Sequence, residues 1–175
     1  EATKNELIKK DPKSAEIIKP LLKGRDIKKY DCIFKELYSI ATFPVLKLEI
    51  NNYTAIKEYL QSFGKRLEQT GEKGSRKKTT NKWFETQDNI AYYKDFEQEK
   101  IIFSKDTVFY YDKQHFYIDV TAYIISGNNL KYIISILNSL FFKTQFYKFY
   151  SGGGIDGEMT IFTLKEFPIP KIDEE

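Results

Sequence analysis

From Asn52 the segment NYTAIKEYLQSFGKRLEQTG sets Tyr53, Ile56, Leu60, Phe63 and Leu67 three and four residues apart. That spacing gathers the apolar side chains on one helical face and predicts an amphipathic helix over about 52–70, stopped near Gly71. After Trp83 the texture changes: NIAYY, KIIFS, TVFYY and FYIDVTAYII are short β-type runs separated by charged turns, and they predict a sheet, antiparallel in part. From Asn128, NNLKYIISILNSLFFKTQFYKFY is apolar on nearly every side, which predicts a buried or interface helix over 129–147. It runs into SGGGIDGEMT, whose four glycines forbid regular structure and permit close backbone approach. IFTLKEFPIPK reads as a last short strand leaving through Pro168 and Pro170.

Near the start, Asp11 and Pro12 pair an N-cap with a first-turn proline ahead of Ile17, Ile18, Leu21 and Leu22. A short helix fits there, interrupted at Pro20 and ended by Gly24. FPVLKLEI (43–50) reads as a strand or as a lead-in. The whole is an α+β pattern: a mixed, partly antiparallel central β-sheet with flanking helices at about 52–70 and 129–147. A length of 175 residues suits a single domain, 1–175, with a sizeable core. The chain opens at Glu1 without a methionine and closes on KIDEE, so it is expected to be a C-terminal fragment of a larger protein, with the parent's catalysis elsewhere.

Charge adds location. The net charge is only +3, but between Glu72 and Lys82 five cations (Lys73, Arg76, Lys77, Lys78, Lys82) face one acid, Glu72. The residues from Gly71 to Asn81 show no apolar periodicity, so this excess belongs to an exposed loop. Aromatic residues reach 16%, more than one core normally uses, and some are expected at the surface. A single cysteine, Cys32, and one histidine exclude an internal disulfide and a Cys/His zinc site. The chain has neither a signal-peptide pattern nor an apolar run of about 18 residues, and a cytoplasmic protein is expected.

Catalytic motifs are scarce. His115 lies in YYDKQHFYI between strand-like runs, where an exposed turn residue is the plain reading, and no Gly-x-Ser-x-Gly elbow accompanies it. SGGGIDG lacks the Lys-Ser/Thr of a phosphate-binding P-loop. Asp95, Gln98 and Lys100 loosely follow a metal-dependent nuclease pattern, but carboxylates at proper spacing are missing and a salt-bridged strand accounts for them.

The basic loop carries the stronger chemistry. Each phosphate neutralised by Lys or Arg releases condensed counterions, so clustered cations on a loop suit duplex DNA. Arginine pairs bidentately with a guanine edge and Asn or Gln with adenine, and the stretch supplies Arg76, Asn81 and Gln87. The same residues fit a solvated loop without a partner, and Trp83 and Phe84 fit core anchors as well as stacking residues.

At this point the order of segments matters. KPLLKGRDIKKY, KWFETQDNIAYYKDFEQEKIIF, YIISILNSLFF and SGGG with FTLKEFPIPK, spanning Lys19 to Lys171, resemble the TaqI-like C-terminal specificity domain. That is the target-recognition domain of gamma-type DNA adenine methyltransferases and type IIG restriction-modification enzymes, with a more distant likeness to type I specificity subunits. The resemblance implies a mixed α/β module that grips double-stranded DNA opposite a methyltransferase domain of the same parent. The Asn-Pro-Pro-Tyr/Phe motif that the catalytic domain of those enzymes carries beside the S-adenosylmethionine site does not occur here. This chain is therefore expected to be no enzyme, S-adenosylmethionine and magnesium belonging to the parent's other domains. The resemblance also marks Gly24-Arg25-Asp26-Ile27 as an interdomain link or a phosphate contact.

The expected DNA-binding residues are Arg25, Lys73, Arg76, Lys77, Lys78 and Lys82 on phosphates or guanine edges. Thr79, Thr80, Asn81 and Gln87 are the candidate base readers, and Gly152, Gly153 and Gly154 either approach a phosphate or form a tight turn. Two alternatives stay open: a protein-interaction scaffold, and a nuclease built on Asp95 and Lys100.

Overall fold

The computed structural model describes residues 1–150 and 159–171. Along it lie α1 (Ala2–Lys10), β1 (Ile18–Leu22), β2 (Ile27–Lys28), β3 (Asp31–Cys32), β4 (Tyr38–Ile40), α2 (Thr54–Gln61), α3 (Tyr93–Phe96), β5 (Lys100–Ser104), β6 (Phe109–Asp112), β7 (Tyr117–Ile118), β8 (Ala122–Ile125), α4 (Leu130–Leu137), α5 (Leu140–Gln145) and α6 (Ile161–Lys165). The fold is α+β, with several small and mostly antiparallel sheets instead of one central sheet. Two compact units divide the chain: Glu1–Pro20 with Glu36–Lys94, and Leu21–Lys35 with Asp95–Glu175.

In the first unit, Asp11 does cap a helical turn, its carboxylate accepting from Lys13 N–H at 3.1 Å, but the turn is a 3-10 helix ending at Glu16. The helix expected to continue toward Gly24 is a strand, since Ile18, Lys19 and Pro20 pair antiparallel with Ile40, Ser39 and Tyr38. Paired β-branched residues favour a strand, and a proline inside a helix removes a hydrogen bond. The apolar face of α2 packs as its spacing predicts, with Ile56 and Leu60 buried against Leu7, Ile17 and Ile50. The helix ends at Gln61, not near residue 70, because Gly64 takes φ +53 and turns the chain into a 3-10 helix, Gly64–Leu67. Residues 43–50 form no strand; single 3-10 turns occupy Pro44–Leu46 and Ile50–Asn52.

In the second unit β5 is buried at all five positions. It pairs antiparallel with β6 and β8, Ile102 standing opposite Tyr110 on one side and Ile124 on the other. Side chains alternate across a strand. Ile101 and Phe103 accordingly join a cluster with Leu130, Ile134, Leu137 and Phe142, while Ile102 joins Leu22, Ile27, Tyr110 and Phe116. Leu21 and Leu22 pair in parallel with Tyr117 and Ile118.

The long apolar helix is broken. Asn138 is buried and leaves the helical path to clasp β6, its Nδ2 donating to the Phe109 carbonyl at 2.8 Å and its Oδ1 accepting from Phe109 N–H at 3.3 Å. Ser139 then caps α5 through Phe142 N–H at 3.0 Å. IFTLK is a helix, not a strand, because Thr160 and Thr163 cap each other's backbone N–H groups. NIAYY is not a strand either; it leads into the single turn of α3. Among the described residues no helix is long and apolar enough to cross a membrane.

Candidate nucleic-acid interface

The basic segment of the first unit is a loop without regular structure, as its composition demands, but it is heavily cross-braced. Gly71 at φ +78 and Gly74 at φ +86 reverse the chain, so that Gly71 N–H donates to the Arg76 carbonyl at 3.0 Å and Arg76 N–H to the Glu68 carbonyl at 2.8 Å. Gln69 is buried beneath it: its Nε2 donates to the carbonyls of Lys82 (3.1 Å) and Glu85 (2.8 Å), and its Oε1 accepts from the Thr79 hydroxyl. Glu85, also buried, accepts from Lys82 N–H at 2.8 Å.

Arg76 completes this brace. Its guanidinium donates twice to the Leu67 carbonyl (2.9 and 2.6 Å), once to Trp83 (2.7 Å) and once to Glu85 (3.0 Å). Four of its five N–H groups are thus spent on main chain. Burial lowers its pKa from the usual value. The structure therefore places Arg76 as the tie of the loop, not as a side chain extended toward a guanine.

The other expected residues divide in two. Lys73, Lys77 and Lys78 are exposed, and their ammonium groups pair with no described acid, whereas neighbouring Glu72 is held by Lys65 at 2.9 Å. Thr80 is exposed with them. Lys82 is partly engaged, with the Leu48 carbonyl at 3.2 Å and Glu49 at 3.5 Å. Asn81 Nδ2 donates to the carbonyls of Thr86 and Gln87, and Gln87 Nε2 to that of Lys77 at 3.1 Å. A bidentate grip on adenine needs amide donor and acceptor together. As folded, each of these amides presents chiefly its oxygen. Trp83 and Phe84 belong to the apolar cluster beneath, Phe84 buried and Trp83 partly so.

Arg25 lies in the second unit, exposed on the single turn Gly24–Asp26. Gly24 is required there: its N–H donates to the Thr121 hydroxyl at 2.9 Å, and a Cβ would stand 2.2 Å from the Thr121 carbonyl oxygen. Asp26 is buried and paired with Lys35 at 2.7 Å. Gly152, Gly153 and Gly154 lie outside the described residues.

The nuclease candidate does not assemble. Lys100 is fully buried, bonded to the Asp112 carboxylate and the Phe96 carbonyl (2.8 Å), and Asp95 is not among its partners. Burial pulls the Lys100 pKa down while the Asp112 partner opposes it. His115 is an exposed turn residue at φ +59.

Sequence reasoning passed over Gln69 and Glu85, the buried residues on which the loop rests. The one available signal was the spacing of Glu85 three residues after Lys82, the reach of a side-chain cap. Three exposed lysines on a braced loop form a surface suited to a polyanion. Compared with known proteins, the chain matches no curated sequence. Against protein-family models, residues 19–169 match the TaqI-like C-terminal specificity domain. This chain therefore belongs to the TaqI-like C-terminal specificity domains, a family of DNA-recognition modules of restriction-modification.

Proposed function

We propose that the chain reads duplex DNA as the target-recognition part of a gamma-type adenine methyltransferase or type IIG restriction-modification enzyme. In that role it directs a separate methyltransferase or endonuclease part to its site in the cytoplasm. The carrying observation is the braced loop that holds Lys73, Lys77 and Lys78 outward without acidic partners among the described residues. These lysines, with Lys82 and Arg25, neutralise phosphates. Thr80 and the amide oxygens of Asn81 and Gln87 face bases, where acceptors suit the exocyclic amino groups of cytosine and adenine. The chain itself transfers no methyl group; S-adenosylmethionine and magnesium belong to the partner part, in keeping with a sequence that lacks the Asn-Pro-Pro-Tyr/Phe motif.

The test is selection of bound duplexes from a randomised pool, followed by titration of the selected site at graded salt. Wild type enriches a short motif. The double variant Lys77→Gln/Lys78→Gln lowers the slope of log K against log salt by about 1.8, two phosphate contacts at about 0.9 each. Failure of any motif to emerge would overturn the reading. A protein-scaffold role has one observation in its favour, the exposed Leu140, Phe141 and Phe149. It predicts that charge reversal at Lys77 and Lys78 leaves methyltransferase-domain binding intact.

A further inference from the structure

In the second unit β2 and β3 form a hairpin closed by the pair Lys28 and Asp31, with Lys29 and Tyr30 at its tip. Tyr30 adopts φ +63, the left-handed region that glycine fills at no steric cost and asparagine tolerates. Its N–H donates to the Phe109 carbonyl at 3.0 Å, which ties the tip to β6. The side chain is 55% exposed and belongs to neither apolar cluster of its unit, so the core does not explain an aromatic residue at this turn.

Its surroundings are cationic. Lys28, Lys29 and Arg25 are all exposed; Lys28 Nζ rests on the Arg25 carbonyl at 3.4 Å, and Lys29 Nζ stands over the Tyr30 ring at 5.6 Å. Of the two acids in this stretch, Asp26 is paired with Lys35, while exposed Asp31 accepts from Cys32 N–H at 2.8 Å and keeps its charge, which leaves three cations against one open carboxylate. A two-stranded ribbon fits the major groove of duplex DNA, and tyrosine joins lysine among the residues that bind its backbone.

We propose that the tip of this hairpin is a second duplex-DNA contact, in which Lys28 and Lys29 neutralise phosphates and Tyr30 lays its ring against the sugar-phosphate backbone between them. The proposal rests on the DNA-recognition reading and adds a surface that the 72–82 loop does not contain.

The turn geometry makes the test sharp, because Tyr30→Gly relieves the left-handed φ while deleting the ring. In a thermal melt Tyr30→Gly keeps or raises the melting temperature, and in a titration with the selected duplex at graded salt it weakens binding about two-fold or more, the loss of one tyrosine contact to the backbone. Lys28→Gln/Lys29→Gln lowers the salt slope by about 1.8. A Tyr30→Gly variant that melts lower and binds as wild type would make the ring a structural residue and overturn the proposal. Wild-type affinity and slope in both variants would overturn the hairpin alone and leave the loop standing. Absence of any binding by the wild-type chain would overturn the DNA reading and this proposal with it.

Discussion

Replacing Arg76 by alanine tests whether this arginine holds the loop or reaches past it. In the variant the Glu85 carbonyl keeps its bond from Gln69 at 2.8 Å, whereas the Leu67 and Trp83 carbonyls lose the donors that Arg76 supplied at 2.6 to 2.9 Å. A half-buried carbonyl stripped of a charged donor costs about 1–1.5 kcal/mol where water reaches part of it, so the two together cost about 2–3 kcal/mol. At this chain length that corresponds to a fall in melting temperature of roughly 5–10 °C. Trp83 is the only tryptophan and its own carbonyl is one of the acceptors, so its fluorescence reports melting where the bond is lost. Arg76→Lys recovers less than half of the loss, because a single ammonium cannot span three carbonyls. Lys77→Ala and Lys78→Ala, at exposed positions, leave the midpoint within about 0.5 kcal/mol of wild type. An Arg76→Ala protein melting within about 1 °C of wild type would refute the bracing role and return Arg76 to the list of DNA contacts.

Lys100→Ala strands the Asp112 carboxylate in the interior, and chemical denaturation should register a loss of about 3–5 kcal/mol, the size expected when one partner of a buried pair is removed. A loss below about 1 kcal/mol would show that Asp112 is satisfied by the Gln114 and Phe116 N–H groups alone. Burial, with Cys32 and Asp112 adding to it, raises the Tyr110 pKa well above its usual 10.0, so the folded chain keeps a proton that the unfolded chain releases. Stability therefore falls as pH rises through about 10, and Tyr110→Phe flattens that part of the stability profile measured by denaturant midpoints. An identical alkaline slope in the variant would disprove the assignment.

What the sequence made legible follows from the range of each interaction. The runs KIIFS and TVFYY fall on β5 and β6, whose isoleucine and aromatic centres suit a buried strand, while the charge of Lys100 at one end of β5 is met by Asp112 of β6. The helix from residue 52 kept its buried face at Tyr53, Ile56 and Leu60 but lost its last turns to Gly64, whose positive φ outweighs the continuing period. Asn138-Ser139 interrupts the apolar helix for a reason that no local window contains, a clasp on Phe109 that lies 29 residues away in sequence. IFTLK read as a strand because β-branched and aromatic residues dominate it, and the mutual Thr160–Thr163 cap outweighed that preference.

For the candidate site, charge and exposure were legible and engagement was not. Arg76, Lys77 and Lys78 are neighbours of equal sign in sequence. Only the fold separates the one turned to the main chain from the two turned to solvent.

The brace under the loop is built on main-chain carbonyls, which every amino acid carries. Positions 73, 77, 78 and 80 consequently bear almost no folding constraint, and the mutational burden of the loop falls on Gln69, Arg76 and Glu85. The outward residues form a surface that can be randomised cheaply, so a combinatorial library at those four positions, with the three supports held fixed, should consist largely of folded members.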